Sequence, residues 1–197
     1  NELKKRSMNT VSKKNQNSLK YIMLGAGAPF KKEGCQDGEN PIINMVVLDW
    51  LMAAAGRLTK KINFVGGYKI DKVKEKYPDL TYIFNPNWEI TKATGSFLEA
   101  DLSDCEAVIV SYTDIIYREK ALMELAEIDA DIVVAVDNSW TRRYENREES
   151  DLGKAERVIV SECSVRQIGA GVSLSNATSE FIGLTKLSKR VVGFLKT

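Results

Sequence analysis

Short apolar runs of strand length recur along the chain, and each is closed by a residue that breaks regular structure. Tyr21-Ile22-Met23-Leu24 runs into Gly25-Ala26-Gly27, Ile62-Asn63-Phe64-Val65 into Gly66-Gly67, and Leu80-Thr81-Tyr82-Ile83-Phe84 into Asn85-Pro86. Ala107-Val108-Ile109-Val110 precedes Ser111, Asp131-Ile132-Val133-Val134-Ala135-Val136 precedes Asp137, and Arg157-Val158-Ile159-Val160 forms a sixth run. The apolar positions are consecutive and not alternating, which suits strands covered on both faces. Helix-like stretches lie between them at residues 46–55, 70–77 and 118–128, the last carrying Ala121, Leu122, Leu125, Ala126 and Ile128 on one broad stripe. Strand alternating with helix predicts an α/β fold, a three-layer sandwich with a mainly parallel, Rossmann-like sheet.

Residues 1–20 break this pattern, being dominated by Lys, Asn and Ser. They read as a flexible arm or linker, with the folded domain expected over residues 21–197. The first residue is Asn1 and not Met, so a longer parent chain, with a fused partner domain, is expected.

Composition narrows the chemistry. Hydrophobic residues at 44% with only 4 Pro exclude collagen-like and wholly disordered readings, and 28 Lys+Arg against 27 Asp+Glu leave no general basic surface for nucleic acid. The absence of histidine matters more, because it removes the commonest general base, the commonest metal ligand and every His-dependent triad. Carboxylates, lysines, backbone amides and hard metal ions remain. Cys35, Cys105 and Cys163 are too widely spaced for a zinc knuckle and odd in number, which fits a reducing, cytoplasmic setting. No apolar run approaches a membrane span of ~18 residues, and no apolar leader segment opens the chain.

In an open α/β sheet, ligands bind beyond the carboxyl ends of the strands, so the segments after each run carry the candidates. Leu24-Gly25-Ala26-Gly27 is followed by Lys31 and Lys32; glycines let backbone N–H groups approach a phosphate, and lysines neutralise it. The same glycines also suit a plain tight turn. Phe30 stands where the dinucleotide fingerprint has its third glycine, which argues against an NAD oxidoreductase. Asp114, in Ser111-Tyr112-Thr113-Asp114, is either a Mg²⁺ ligand bridging nucleotide phosphates or a turn former. Asn85 to Ser96 is dense in hydrogen-bonding side chains and reads either as a base-recognising loop or as a turn into a helix begun by Phe97 and Leu98. Trp140 and Tyr144, with Asp137, Glu156 and Glu180, could form an aromatic and acidic box for a cation. Alternatively Trp140 is a packing residue, and Arg142, Arg143, Glu145, Arg147, Glu148 and Glu149 are a solvated turn.

In order and spacing, these segments resemble the nucleotidyltransferase family that activates sugar phosphates, phosphocholine or 2-aminoethylphosphonate with an NTP. The family opens with a strand and a Leu-x-x-Gly-x-Gly type loop, and here Leu24 falls directly before Gly25-Ala26-Gly27; its later signatures look like Phe64-Val65-Gly66-Gly67-Tyr68, Asn85-Pro86-Asn87-Trp88 running to Ser96, and Tyr112-Thr113-Asp114. The stretch 133–137 with Trp140, Arg147, Glu156 and Ser179-Glu180-Phe181-Ile182-Gly183-Leu184 is similar to the acceptor half of the small phosphocholine and phosphonate cytidylyltransferases. The resemblance covers roughly residues 21–187.

The resemblance implies transfer of NMP, with CTP the favoured donor, to a small phosphate or phosphonate, with release of pyrophosphate and with Mg²⁺ as cofactor. It assigns Leu24, Gly25, Ala26 and Gly27 to the nucleotide phosphates, Thr94, Gly95 and Ser96 to base and ribose, and Asp114 to the metal. It assigns Tyr112, Asp137, Trp140, Glu156 and Glu180 to the acceptor. The family's loop Arg and its Lys-Pro pair appear here as Pro29 and Asn40-Pro41, so Lys31 and Lys32 are the candidates to replace the lost cations. A sugar-1-phosphate acceptor, or a nucleotide-binding module without catalysis, are the alternatives that these departures leave.

Overall fold

The computed structural model describes residues 18–27, 41–169 and 171–195; Pro29, Phe30, Lys31, Lys32, Cys35 and Asn40, with most of the expected arm, lie outside the described residues. The chain divides into two compact units, one running to Val133 and resuming at Thr185, the other Val134–Leu184.

In the first unit β1 (Leu19–Gly25), β2 (Ile62–Gly66), β3 (Thr81–Phe84) and β4 (Ala107–Tyr112) form a sheet in the order β3-β2-β1-β4. All three pairings are parallel, with Tyr21 opposite Ile62, Asn63 opposite Thr81 and Leu24 opposite Tyr112. β1 therefore takes in Leu19 and Lys20, two residues read from the sequence as arm. The connections are α1 (Pro41–Leu58), α2 (Ile70–Lys76) and α3 (Trp88–Leu98), with α4 (Glu119–Glu127) after β4. The chain steps one way from β1 to β3 and returns to β4, so right-handed crossovers put α1 and α2 on one face and α3 on the other. Ile22, Val65 and Val108 meet Phe97, Ala100, Leu102, Cys105 and Val192 in one buried cluster. Tyr21 and Met23 alternate with Ile22 along β1 and are equally buried, so both faces of the sheet are covered, as the unbroken apolar runs require.

In the second unit β6 (Arg157–Ser161) and β7 (Ser164–Ile168) form an antiparallel hairpin. Its two-residue turn, Glu162 and Cys163, has positive φ at both positions (52° and 58°), which matches the twist of the flanking strands. β6 also pairs antiparallel with β8 (Ser179–Ser188), placing Arg157 opposite Glu180. β5 (Ile132–Asp137) leads into a short 3₁₀ turn at Trp140–Tyr144 and then α5 (Glu149–Leu152). α6 (Lys189–Leu195) follows β8 in the first unit.

Two expectations are corrected. Asn85 to Ser96 is not a loop before a helix begun by Phe97; α3 already starts at Trp88, and Phe97 and Leu98 end it. Two-sided cover also fails for β3 and β5, neither of which has a buried residue, with Phe84 and Ile132 exposed.

Candidate functional site

At the carboxyl edge of the first unit's sheet, β1 and β4 end side by side because they pair in parallel register up to Leu24 and Tyr112. Thr113 Oγ1 donates to the Leu24 carbonyl at 3.2 Å, so the two strand ends are also tied by a side chain. Gly25, Ala26, Gly27 and Asp114 thus leave the sheet at one edge. A Cβ on Gly25 would lie 2.5 Å from the Phe64 ring, whereas one on Gly27 would meet nothing within 4 Å among the described residues. Gly25 serves packing; Gly27 does not pack on any described residue. The Ala26 carbonyl accepts from Tyr68 N at 3.0 Å, which holds the Gly67-Tyr68 corner beside the loop. At this corner Tyr68 and Trp88 stack edge-on, with ring centroids 5.8 Å apart.

The neighbouring segment is organised by Asn85, which is fully buried just past β3. Its Nδ2 donates to Thr91 Oγ1 and to Ser96 Oγ, both at 2.9 Å, and its Oδ1 accepts from Asn87 N at 2.9 Å. Lys92 sits at φ 54°, ψ −156°, a conformation that a non-glycine residue holds only when its surroundings over-determine it. The kink lets Thr91 and Gly95 meet so closely that a Cβ on Gly95 would fall 2.2 Å from Thr91 Cβ. Of the three residues assigned to base and ribose, Ser96 is buried on Asn85, Gly95 packs on Thr91, and Thr94 alone is exposed.

The Asp114 carboxylate is exposed and has no hydrogen-bond or ion-pair partner among the described residues. No cluster of three metal-ligating side chains occurs among them either. A single free carboxylate at this strand edge fits Mg²⁺, which is commonly held by one or two carboxylates with water and substrate phosphates completing the octahedron. It would not fit a cation needing an all-protein cage.

On β1 and beside β4, the Tyr21 and Tyr117 hydroxyls make a close, partly buried hydrogen bond, with Ser111 next in line. Burial pushes both phenols above their ordinary pKa, keeping the pair neutral.

In the second unit, Asp137, Trp140 and Glu180 are brought together. Trp140 is buried and packs edge-on against Tyr144, centroids 5.9 Å apart. Tyr144 Oη donates to Glu180 Oε1 at 2.6 Å; burial first, and this bond second, push its pKa up to about 12. Arg143 binds both carboxylates, through Nε to Asp137 Oδ2 at 3.1 Å and through Nη2 to Glu180 Oε2. The box is therefore not an open set of acidic groups. Glu156, just before β6, is exposed, and its carbonyl accepts from Phe181 N at 2.8 Å. Tyr112 is half-buried at the end of β4.

Three residues that hold these arrangements escaped assignment from the sequence: Thr113, Asn85 and Arg143. Asn85 and Thr113 stood inside segments already singled out, but nothing marked them as supports and not contacts. Arg143 lay in a run of alternating charges that reads as a solvated turn.

No protein-family model matches the chain. Over 138 residues it is 25% identical to the CTP:phosphoglutamine cytidylyltransferase of Campylobacter jejuni subsp. jejuni, an alignment covering 65% of this chain and 54% of that protein. The chain thus spans about half the length of that relative. Among solved structures, it superposes on the inositol-1-phosphate CTP transferase from T. maritima with TM-score 0.62 at 19% identity, over 91% of this chain and 74% of the other. HddC from Yersinia pseudotuberculosis complexed with GMP-PN gives 0.59 at 12% identity, over 88% and 78%. The 4-diphosphocytidyl-2C-methyl-D-erythritol synthase from Anaerococcus prevotii gives 0.54 at 14% identity, over 90% and 72%. The sheet, its parallel first unit and its antiparallel strands therefore form the nucleotidyltransferase fold, and the chain is related to the cytidylyltransferases.

Proposed function

We propose that this chain transfers CMP from CTP to a small phosphate or phosphonate acceptor and releases pyrophosphate. The observation that carries the reading is the shared departure of Gly25-Ala26-Gly27 and Asp114 from adjacent parallel strand ends, tied by Thr113. The similarity to a cytidylyltransferase acting on phosphoglutamine supports both the donor and a phosphorylated acceptor.

An acceptor phosphate oxygen, ionised at pH 7, attacks the α-phosphorus in line, and the bond to the pyrophosphate oxygen breaks. No proton has to be removed, so a chain with no histidine loses nothing. The protein supplies alignment and charge neutralisation, which dominate this class of transfer. Main-chain amides at Gly25 to Gly27, with Lys31 and Lys32, hold the triphosphate; Thr94 meets the base and ribose, presented by the Asn85 network. Asp114 would hold Mg²⁺, which when bound neutralises phosphate charge. Asp137, Trp140, Glu156 and Glu180 belong to the acceptor half, and phosphocholine, 2-aminoethylphosphonate and sugar 1-phosphates are the acceptor types to compare. No helix among the described residues is long and apolar enough to cross a membrane, and we place the reaction in the cytoplasm.

Pyrophosphate release, measured with each NTP, Mg²⁺ and these acceptors, tests the reading. CTP should give the highest rate, and Asp114→Ala should lower it at least 100-fold, about 2.7 kcal/mol of barrier at ~1.4 kcal/mol per decade. CTP binding without release in any combination would point to a non-catalytic nucleotide module.

A further inference from the structure

We infer that Arg143 selects the acceptor's tail, favouring one that offers a carboxylate or amide oxygen over one that carries a trimethylammonium group. The inference rests on the transferase reading for its acceptor, but its geometry stands in the second unit alone.

An aromatic and acidic box attracts a cation only if its carboxylates and ring faces are unoccupied. Here both are taken. Arg143 spans Asp137 and Glu180, and Tyr144 donates to the other oxygen of Glu180, so both oxygens of this nearly buried carboxylate are engaged. The Tyr144 ring is faced by the Arg147 guanidinium at 5.6 Å, and Trp140 is buried against that same tyrosine. A trimethylammonium group has no N–H to donate, so it cannot replace the hydrogen bonds that Glu180 would lose if Arg143 moved aside. Expelling the guanidinium would strand a buried charge, which is costly.

Arg143 has donors to spare. Its side chain is 48% exposed, and its Nη1 amino group makes no hydrogen bond among the described residues. The two carboxylates fix the plane of the guanidinium, leaving this edge to receive an oxygen lone pair, a task for which a planar fork is suited and a flexible lysine is not. Arg142 and Arg147 are exposed on the same stretch as Glu145 and Glu148, two charges of each sign, so the selection comes from hydrogen-bond direction and not from the net charge of this stretch.

Calorimetric binding of 3-phosphoglycerate and of phosphocholine, with and without α,β-methylene-CTP, which cannot release pyrophosphate, reads this directly. The wild-type chain should bind 3-phosphoglycerate at least tenfold more tightly than phosphocholine. Arg143→Gln should erase the preference and leave affinity for the CTP analogue unchanged; Arg143→Lys should restore it only in part. If Arg143→Gln does not fold, the double variant Arg143→Gln/Glu180→Gln, which removes both charges, carries the same comparison. Tighter binding of phosphocholine, equal loss of both ligands in the variants, or no binding of either overturns the inference. Failure of the transferase reading looks different: the analogue does not bind, or no acceptor releases pyrophosphate, while the preference between the two ligands persists.

Discussion

Thr113 holds the Leu24 carbonyl across the ends of β4 and β1. Both residues stand at the point where the chain leaves the sheet, so this bond sets the spacing between the glycine loop and the turn bearing Asp114. Thr113→Val keeps the shape and loses the donor. A neutral hydrogen bond of this kind contributes about 1 kcal/mol, so thermal unfolding should shift by only a few degrees. The KM for CTP should rise severalfold with little change in acceptor KM, checked by steady-state pyrophosphate release.

Gly25 and Gly27 look alike in sequence and differ in what surrounds them. Alanine at Gly25 drives a methyl into Phe64 at 2.5 Å and into Thr113 Cγ2 at 3.2 Å. Overpacking of this kind costs about 1–3 kcal/mol, so Gly25→Ala should lower the urea midpoint. Alanine at Gly27 meets nothing within 4 Å among the described residues, so Gly27→Ala should leave that midpoint unchanged. On the proposed function, any effect at Gly27 should then appear in CTP affinity alone, because a methyl there would stand between the backbone amides and the nucleotide phosphate they are proposed to hold. Equal destabilisation by both variants would contradict the packing described.

Asn85 is the support of α3's first turns. Asn85→Ala removes two donors and one acceptor from a fully buried position and leaves Asn87 N without its side-chain acceptor. Unsatisfied buried groups cost about 1–3 kcal/mol each, so loss of at least 2 kcal/mol in denaturant unfolding is expected. Hydrogen exchange should rise across Trp88–Leu98, and CTP affinity should fall more than acceptor affinity.

How far the sequence reached follows from how each element is buried. β1, β2 and β4 were legible because a strand covered on both faces must be apolar at consecutive positions, as Tyr21 to Leu24 and Ala107 to Val110 are. β7 was not, since Ser164-Val165-Arg166-Gln167-Ile168 is exposed throughout and carries no such run. The hairpin that makes it has Glu162 and Cys163 at its turn in place of the Asn-Gly or Gly-Gly that would announce one. α3 was masked by its own chemistry: Asn85, Asn87 and Gly95 signal a loop, and only the tertiary network of Asn85 lets the chain pass through the strained Lys92 and stay helical on either side. In the candidate site, positions just past the strands were readable because topology puts them at one edge. The pairing of Arg143 was not, because its two carboxylates are brought to it from β5 and β8.

Asp131 takes the Arg190 guanidinium and the Ser188 hydroxyl, the latter at 2.6 Å, where β5 begins and β8 ends. Arg190 first and Ser188 second hold its pKa down at about 2. A depressed carboxylate contributes stability that is present above its unfolded value of about 3.9 and is lost as pH falls through the folded one. Acidification from about pH 4 to 2 should therefore weaken this junction, and Asp131→Asn should flatten that part of the stability profile. The pair is solvent-exposed, so the effect should be small and shrink in 1 M salt. An acid limb identical in wild type and variant would show that the bond does not hold in solution.

Tyr144 titrates at the other end of the scale. Its phenol is pushed up to about 12, by burial and then by the bond to Glu180, so the neutral form is the one the fold prefers. A raised pKa contributes stability that is complete below the unfolded value of about 10 and is lost as pH rises through 12. Between those limits the wild-type chain should lose stability that Tyr144→Phe, which has no proton to give up, does not lose. Phenolate absorbance recorded for both chains isolates the transition, because their difference contains Tyr144 alone among the 7 tyrosines. Tyr144→Phe also frees Oε1 of Glu180, leaving Arg143 to hold that carboxylate unaided. Stability at neutral pH should then fall by about 1.5–3 kcal/mol, the contribution of a hydrogen bond to a charged group. A difference spectrum centred near 10 would mean that the phenol does not reach Glu180, and with it the fixed plane of Arg143 would lose its second support.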